Sequence, residues 1–111
     1  MTELAADPAR TLGPADAVPE DLVVPYYVGD RKLRVSVARI DGRLYAFDDL
    51  CPCGGRTCPL SGGLLSGTVV MCQCHGSRFD LDTGAVINGP ATRALKLYDV
   101  QEVDGDVEIR V

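Results

Sequence analysis

Histidine is nearly missing from this chain, cations are outnumbered, and no window supports a helix longer than a turn or two. The single histidine means that any imidazole chemistry must pass through His75. Lys and Arg total 11 against 16 Asp and Glu, for a net charge of −5. That balance argues against a nucleic-acid partner, because such binding rests on neutralising phosphates. It suits docking on a basic surface, with Asp48 and Asp49 among the candidate acids, although Arg56 and Arg78 near the same loops could reverse the local sign. No apolar run approaches the roughly 18 residues of a membrane span, so no membrane partner is expected. Met1 to Arg10 lacks a basic start followed by an apolar block, which leaves no visible secretory signal and a cytoplasmic expectation. There are no repeats and no linker, so the 111 residues read as one domain. At that size a bound metal or a cross-link adds noticeably to a modest core.

What the chain does have is concentrated in one stretch. Cys51 to His75 holds all five cysteines and the only histidine. Cys51 and Cys53 flank one residue, Cys72 and His75 flank two, and 18 residues separate Cys53 from Cys72. Clusters of this kind on neighbouring loops let thiolates and an imidazole converge on iron or zinc. A cysteine is often only a small buried hydrophobe. Here the cysteines sit among Gly and Pro, which is loop chemistry. For Gly54, Gly55, Gly62, Gly63 and Gly67 a plain turn role suffices.

The flanking sequence predicts strands. Residues 1–9, with Pro8, are expected to form a flexible start, and Thr11–Leu12 to open the first strand. Pro14 to Asp21 is turn-rich. Leu22 to Val28 reads as a strand whose Pro25 demands an edge or a bulge. Lys32 to Ile40 alternates, with Leu33, Val35 and Val37 on one face and Lys32, Arg34 and Ser36 on the other. Asp41-Gly42 and Asp104-Gly105 are two-residue hairpin signals. Thr68–Cys72, Arg78–Asp80 and Ala94–Val100 read as further strands, and Val107, Ile109 and Val111 alternate with polar neighbours. The expected fold is all-β, built of short antiparallel strands.

Four landmarks then fall in order: Phe47-Asp48-Asp49-Leu50-Cys51, Cys72-Gln73-Cys74-His75-Gly76-Ser77-Arg78-Phe79-Asp80, Thr83-Gly84 and Gly89-Pro90-Ala91. Together they resemble a Rieske-type [2Fe–2S] protein, and most closely the small ferredoxins that feed electrons to multicomponent oxygenases. The likeness covers the chain from about Thr11. It implies stacked antiparallel sheets over residues 10–111, with a cluster-binding subdomain over about 48–92. The implied partners are a ferredoxin reductase and a terminal oxygenase, and the protein would carry electrons without catalysing a reaction itself.

The departure from that family is equally specific. Its pattern is Cys-x-His followed by Cys-x-x-His, two thiolates on one iron and two imidazoles on the other. Position 53 is Cys, and no second histidine exists. Anchoring the alignment on Phe47–Leu50 gives a Cys3His ligand set of Cys51, Cys53, Cys72 and His75. Anchoring on Cys58-Pro59-Leu60 instead places Cys53 and Gly55 at the ligand positions and leaves one empty. The first is preferred, since thiolate binds iron well and Gly offers no donor. Cys3His is also a common structural zinc set, so zinc stands as the alternative metal. A zinc-stabilised interaction module and a small subunit of a larger oxidoreductase, such as nitrite reductase, are the alternative functions.

The resemblance carries three further expectations. Cys58 and Cys74 look like the partners of a disulfide that joins the two cluster loops in some relatives, although cytoplasmic thiols are usually kept reduced. Ser77 matches a position whose hydroxyl donates to a cluster sulfur and stabilises the reduced state, while Phe79 has no hydroxyl to offer. Gly89-Pro90 resembles the loop that shields the cluster from water, with Pro90 as its rigid element.

Overall fold

The computed structural model describes residues 9–52, 59–61, 63–74, 76–89, 91 and 93–110. Ten strands follow in chain order: β1 Ala9–Pro14, β2 Val23–Val28, β3 Leu33–Ile40, β4 Arg43–Asp48, β5 Leu64–Ser66, β6 Val69–Met71, β7 Arg78–Asp80, β8 Val86–Asn88, β9 Leu97–Val103 and β10 Asp106–Arg110. Two single 3-10 turns, Ala15–Ala17 and Gly29–Arg31, are the only helical residues among those described. None of the described residues forms a helix long and apolar enough to cross a membrane.

The strands make two antiparallel sheets. One has six strands in the order β1-β10-β9-β4-β3-β2, the other four in the order β5-β6-β7-β8. Both hairpin signals act as expected. Asp41 and Gly42 take φ of 53° and 79°, Asp104 and Gly105 take 52° and 83°. Paired positive φ values match the right-handed twist of the strands they join. Pro25 lies on β2, at the edge of the large sheet, where its missing N–H costs no ladder bond. Ala9 pairs with Arg110, so β1 starts two residues before Thr11.

The alternation expected for β3 is only half of its burial. Val35 and Val37 are fully buried in one packed group with Val28, Ala46, Val107 and Ile109. Ala38 and Ile40 are buried in a second, with Phe47, Val70, Phe79 and Leu81. Ser36 is also wholly buried, on the face the alternation assigned to solvent. β3 is therefore covered on both sides, and its polar face is an internal one. Ala94 to Lys96 precede β9 rather than forming part of it. β5 and β8 carry too few residues for a periodic signal, three each.

The strand pairings fix where the cysteines sit. β3 and β4 run antiparallel with Val35 opposite Asp48 and Ile40 opposite Arg43. The end of β4, the start of β3 and the start of β9 therefore lie together, and the Asp41-Gly42 hairpin lies at the far end. The chain leaves β4 at Asp48 and enters the first cysteine loop directly. β6 ends at Met71, one residue before Cys72.

Candidate metal centre between two loops

Cys51 is 5% and Cys72 0% exposed, and neither is in a disulfide. Both belong to one packed group with Leu60, Phe79, Ala91 and Leu95. Two soft donors from separate loops thus share one dry environment at one end of the molecule, a donor chemistry that suits iron held by thiolate. Cys53, Cys58, His75 and Pro90 lie outside the described residues. Among the described residues no three His, Cys, Asp or Glu side chains converge. Cys74 is exposed and disulfide-bonded.

The second loop is held by its own backbone. The Gly76 N–H donates to the Cys72 carbonyl at 2.9 Å, and the Cys72 N–H donates to the Ser77 carbonyl at 2.8 Å. Gly76 takes a φ of 80°, which lets the chain reverse there. The Ser77 hydroxyl is buried and accepts the Ala91 N–H at 3.0 Å. That bond ties the segment after β8 to the cysteine loop and leaves the hydroxyl proton without an acceptor among the described residues. Phe79 is wholly buried, so its ring fills the core.

The first loop is held by a residue that charge counting misjudges. Asp49 is 0% exposed. Its Oδ1 accepts the Ser36 hydroxyl at 2.7 Å and the Ser61 N–H at 2.8 Å. Its Oδ2 faces Arg34 Nη2 at 2.7 Å. Its backbone donates to the Arg34 carbonyl and accepts the Leu60 N–H. Leu50 and Pro59 form a bridge beside it, so the loop leaves and returns through one knot. Asp48 is engaged too, accepting the Tyr98 hydroxyl at 2.5 Å. Neither acid is the free docking charge that the composition suggested. The usable signal was Arg34 and Ser36, two polar residues on one face of a largely apolar strand.

Gly63 is more than a turn residue. A Cβ there would collide with the carbonyl oxygens of Met71 and Leu60. The absent side chain lets the return of the first loop close against the end of β6, immediately before Cys72. Tyr98 is shifted to a higher pKa, by burial first and then by its bond to Asp48. The Lys96 ammonium lies 5.3 Å from the centre of the same ring, a cation–π contact at this end of the molecule.

A small all-β protein that buries thiols from two adjacent loops at one tip belongs to the class that holds a soft metal centre between loops. Residues 10–99 match the Rieske [2Fe-2S] domain. The chain is 33% identical over 111 residues to the anthranilate 1,2-dioxygenase ferredoxin subunit of Burkholderia cepacia, covering 100% of this chain and 99% of that one. It is 34% identical over 86 residues to the ferredoxin component of the naphthalene 1,2-dioxygenase/salicylate 5-hydroxylase systems of a Ralstonia species, covering 78% and 79%. The solved ferredoxin of Sphingomonas yanoikuyae B1 superposes with a TM-score of 0.83 at 29% identity, over 94% of this chain and 99% of that one. The chain belongs to the Rieske [2Fe-2S] family, as one of its small ferredoxins.

Proposed function

We infer that this chain is a one-electron carrier that accepts electrons from a reductase and delivers them to a terminal oxygenase in the cytoplasm, with no substrate chemistry of its own. The observation that carries this reading is the shared burial of Cys51 and Cys72 at one end of a chain similar over its whole length to an oxygenase ferredoxin. When bound, the [2Fe–2S] cluster supplies a one-electron couple.

The residues proposed to hold it are Cys51, Cys53, Cys72 and His75, within a cluster-binding part spanning about 48–92. Cys51 and Cys72 present thiols in a water-poor setting, where fixed dipoles count for more than in solvent. Ser77 would offer its remaining hydroxyl proton to a cluster sulfur, and Pro90 would help exclude water. Cys74 is disulfide-bonded, while Cys51 and Cys72 are not. Assigning Cys53 to iron therefore assigns Cys58 to Cys74.

The test is iron and acid-labile sulfide analysis of freshly purified protein, together with its absorption spectrum. About two irons and two sulfides per chain are expected, lost or strongly depleted in Cys51→Ala, Cys72→Ala and His75→Ala. Stoichiometric zinc without labile sulfide, in protein made under iron-replete anaerobic conditions, would overturn the reading.

A further inference from the structure

The net charge of −5 describes the whole chain and misdescribes the end where electrons leave. The antiparallel register separates the charges along the large sheet. The start of β3, the start of β9 and the cysteine loops share one end, which carries Arg31, Lys32, Arg34, Arg78 and Lys96, all exposed. Arg93, also exposed, follows two residues after the Ala91 that bonds to Ser77. Asp48 and Asp49 at this end are held by Tyr98, Arg34, Ser36 and the loop backbone. Asp30 lies in the same turn as Arg31.

The acids gather at the opposite end. The Glu20 carboxylate accepts the N–H groups of Asp41 and Gly42, which places Glu20 and Asp21 against the β3–β4 hairpin. The Ala15 N–H donates to the Gly105 carbonyl at 2.8 Å, which brings Asp16 beside Asp104. Asp82 approaches Arg43 to 4.0 Å, near the same hairpin. Arg34 and Ile40, the residue before Asp41, are six steps apart on β3, about 20 Å at ~3.3 Å per residue. The Debye length is ~8 Å at physiological ionic strength, so a charge at one end is screened from a partner at the other.

We propose that the cluster end is a basic docking face, and that the electron-exchange partner meets it with an acidic surface. The proposal rests on the electron-carrier reading for the identity of that partner. Charge complementarity at the contact speeds encounter. The acidic far end then repels the same acidic surface and helps to orient the approach.

The sign of the field at the electron exit is measurable with small redox probes. The reduced protein is mixed in stopped flow with anionic hexacyanoferrate(III) or cationic hexaammineruthenium(III) at rising salt. Oxidation by the anion is expected to slow as salt rises, and oxidation by the cation to quicken. The variant Lys32→Glu, Arg93→Glu, Lys96→Glu should invert both trends. It leaves Arg34, which pairs with Asp49, and Arg78, which adjoins Ser77, untouched. Asp21→Asn with Asp104→Asn should leave both trends in place. A native chain that favours the cation at low salt, or a far-end variant that changes the rates as much as the near-end one, would overturn the proposal. Redox-inert hexacyanochromate(III) gives a second readout by NMR. Broadening is expected at amides of residues 31–34 and 93–96, and broadening spread evenly to residues near 104 would overturn the basic face. A chain with no reducible centre would overturn the electron-carrier reading instead, while the hexacyanochromate map still decides the charge of the face.

Discussion

Replacing Asp49 separates the role of its charge from the role of its oxygen atoms. In Asp49→Ala the Ser36 hydroxyl is left buried with no acceptor, and the Ser61 N–H loses its partner at the loop base. Each unsatisfied group costs about 1–3 kcal/mol. Arg34 is 48% exposed, so its guanidinium returns to water and the ion pair itself adds only about 0–1 kcal/mol. The total is about 2–7 kcal/mol, most of it from the two unsatisfied groups. Asp49→Asn keeps Oδ1 as an acceptor for both serines and surrenders only the pairing with Arg34, at about 1 kcal/mol. Unfolding that releases a cluster is not two-state, so the decisive assay is local. Amide exchange at Ser61 should rise about 5–150-fold in the alanine variant, at ~1.4 kcal/mol per tenfold, and far less in the asparagine variant. Cluster content should fall in the same order. Equal exchange at Ser61 in both variants and the native chain would refute the claim that this carboxylate fastens the first loop.

The other expectations concern the centre and one half-buried tyrosine. With Cys53 as the proposed ligand, Cys53→His should remove one thiolate charge. At about 6 Å and an effective dielectric of ~20 that charge opposes reduction by about 2.8 kcal/mol, so the potential should rise on the order of 120 mV and gain a second pH-dependent step. A variant that keeps its cluster with an unchanged or lower potential would move the ligand role away from Cys53. Ser77→Ala should lower the potential by removing a hydroxyl donor. It should also cost about 1–3 kcal/mol, because the Ala91 N–H loses its acceptor, and voltammetry with amide exchange at Ala91 reads the two effects. Tyr98 has a raised pKa in the folded chain, so the unfolded chain gives up this proton first as pH climbs. Its contribution to stability is complete below pH ~10 and is lost as pH rises from there through the folded value. Tyr98→Phe should flatten that alkaline decline, and an unchanged pH slope would refute the assignment.

The strand skeleton was readable because it depends on signals within a few residues. Asp41-Gly42 and Asp104-Gly105 reach positive φ locally, and Val107 and Ile109 alternate on a strand with one buried face. The pattern failed where burial comes from both sides. Ser36 is polar and wholly buried because its partner, Asp49, lies 13 residues away, which no periodicity records. β5 and β8 have three residues each, and their strand character comes from pairing with β6 and β7. Gly63 shows the same limit. Its sequence context fits a turn, and only the fold brings the Met71 carbonyl into the space a side chain would occupy.

The site divides along the same line. Candidate donors could be named from the sequence because thiol and imidazole chemistry belongs to residues and their spacing, and of these Cys51 and Cys72 belong to one buried group. The electrostatics were not legible, because a net charge is a sum and docking depends on where its members lie. Asp48 and Asp49 look like surface acids by position, yet one accepts from Tyr98 and the other is sealed by Arg34, Ser36 and Ser61. Once those two are withdrawn, the cations near the cysteine loops face solvent, while Glu20, Asp41 and Asp104 lie at the opposite hairpins. A strand of eight residues is long enough to place the two groups beyond each other's screening distance. A protein with five surplus negative charges can therefore present a basic face at the one end where its partner must bind.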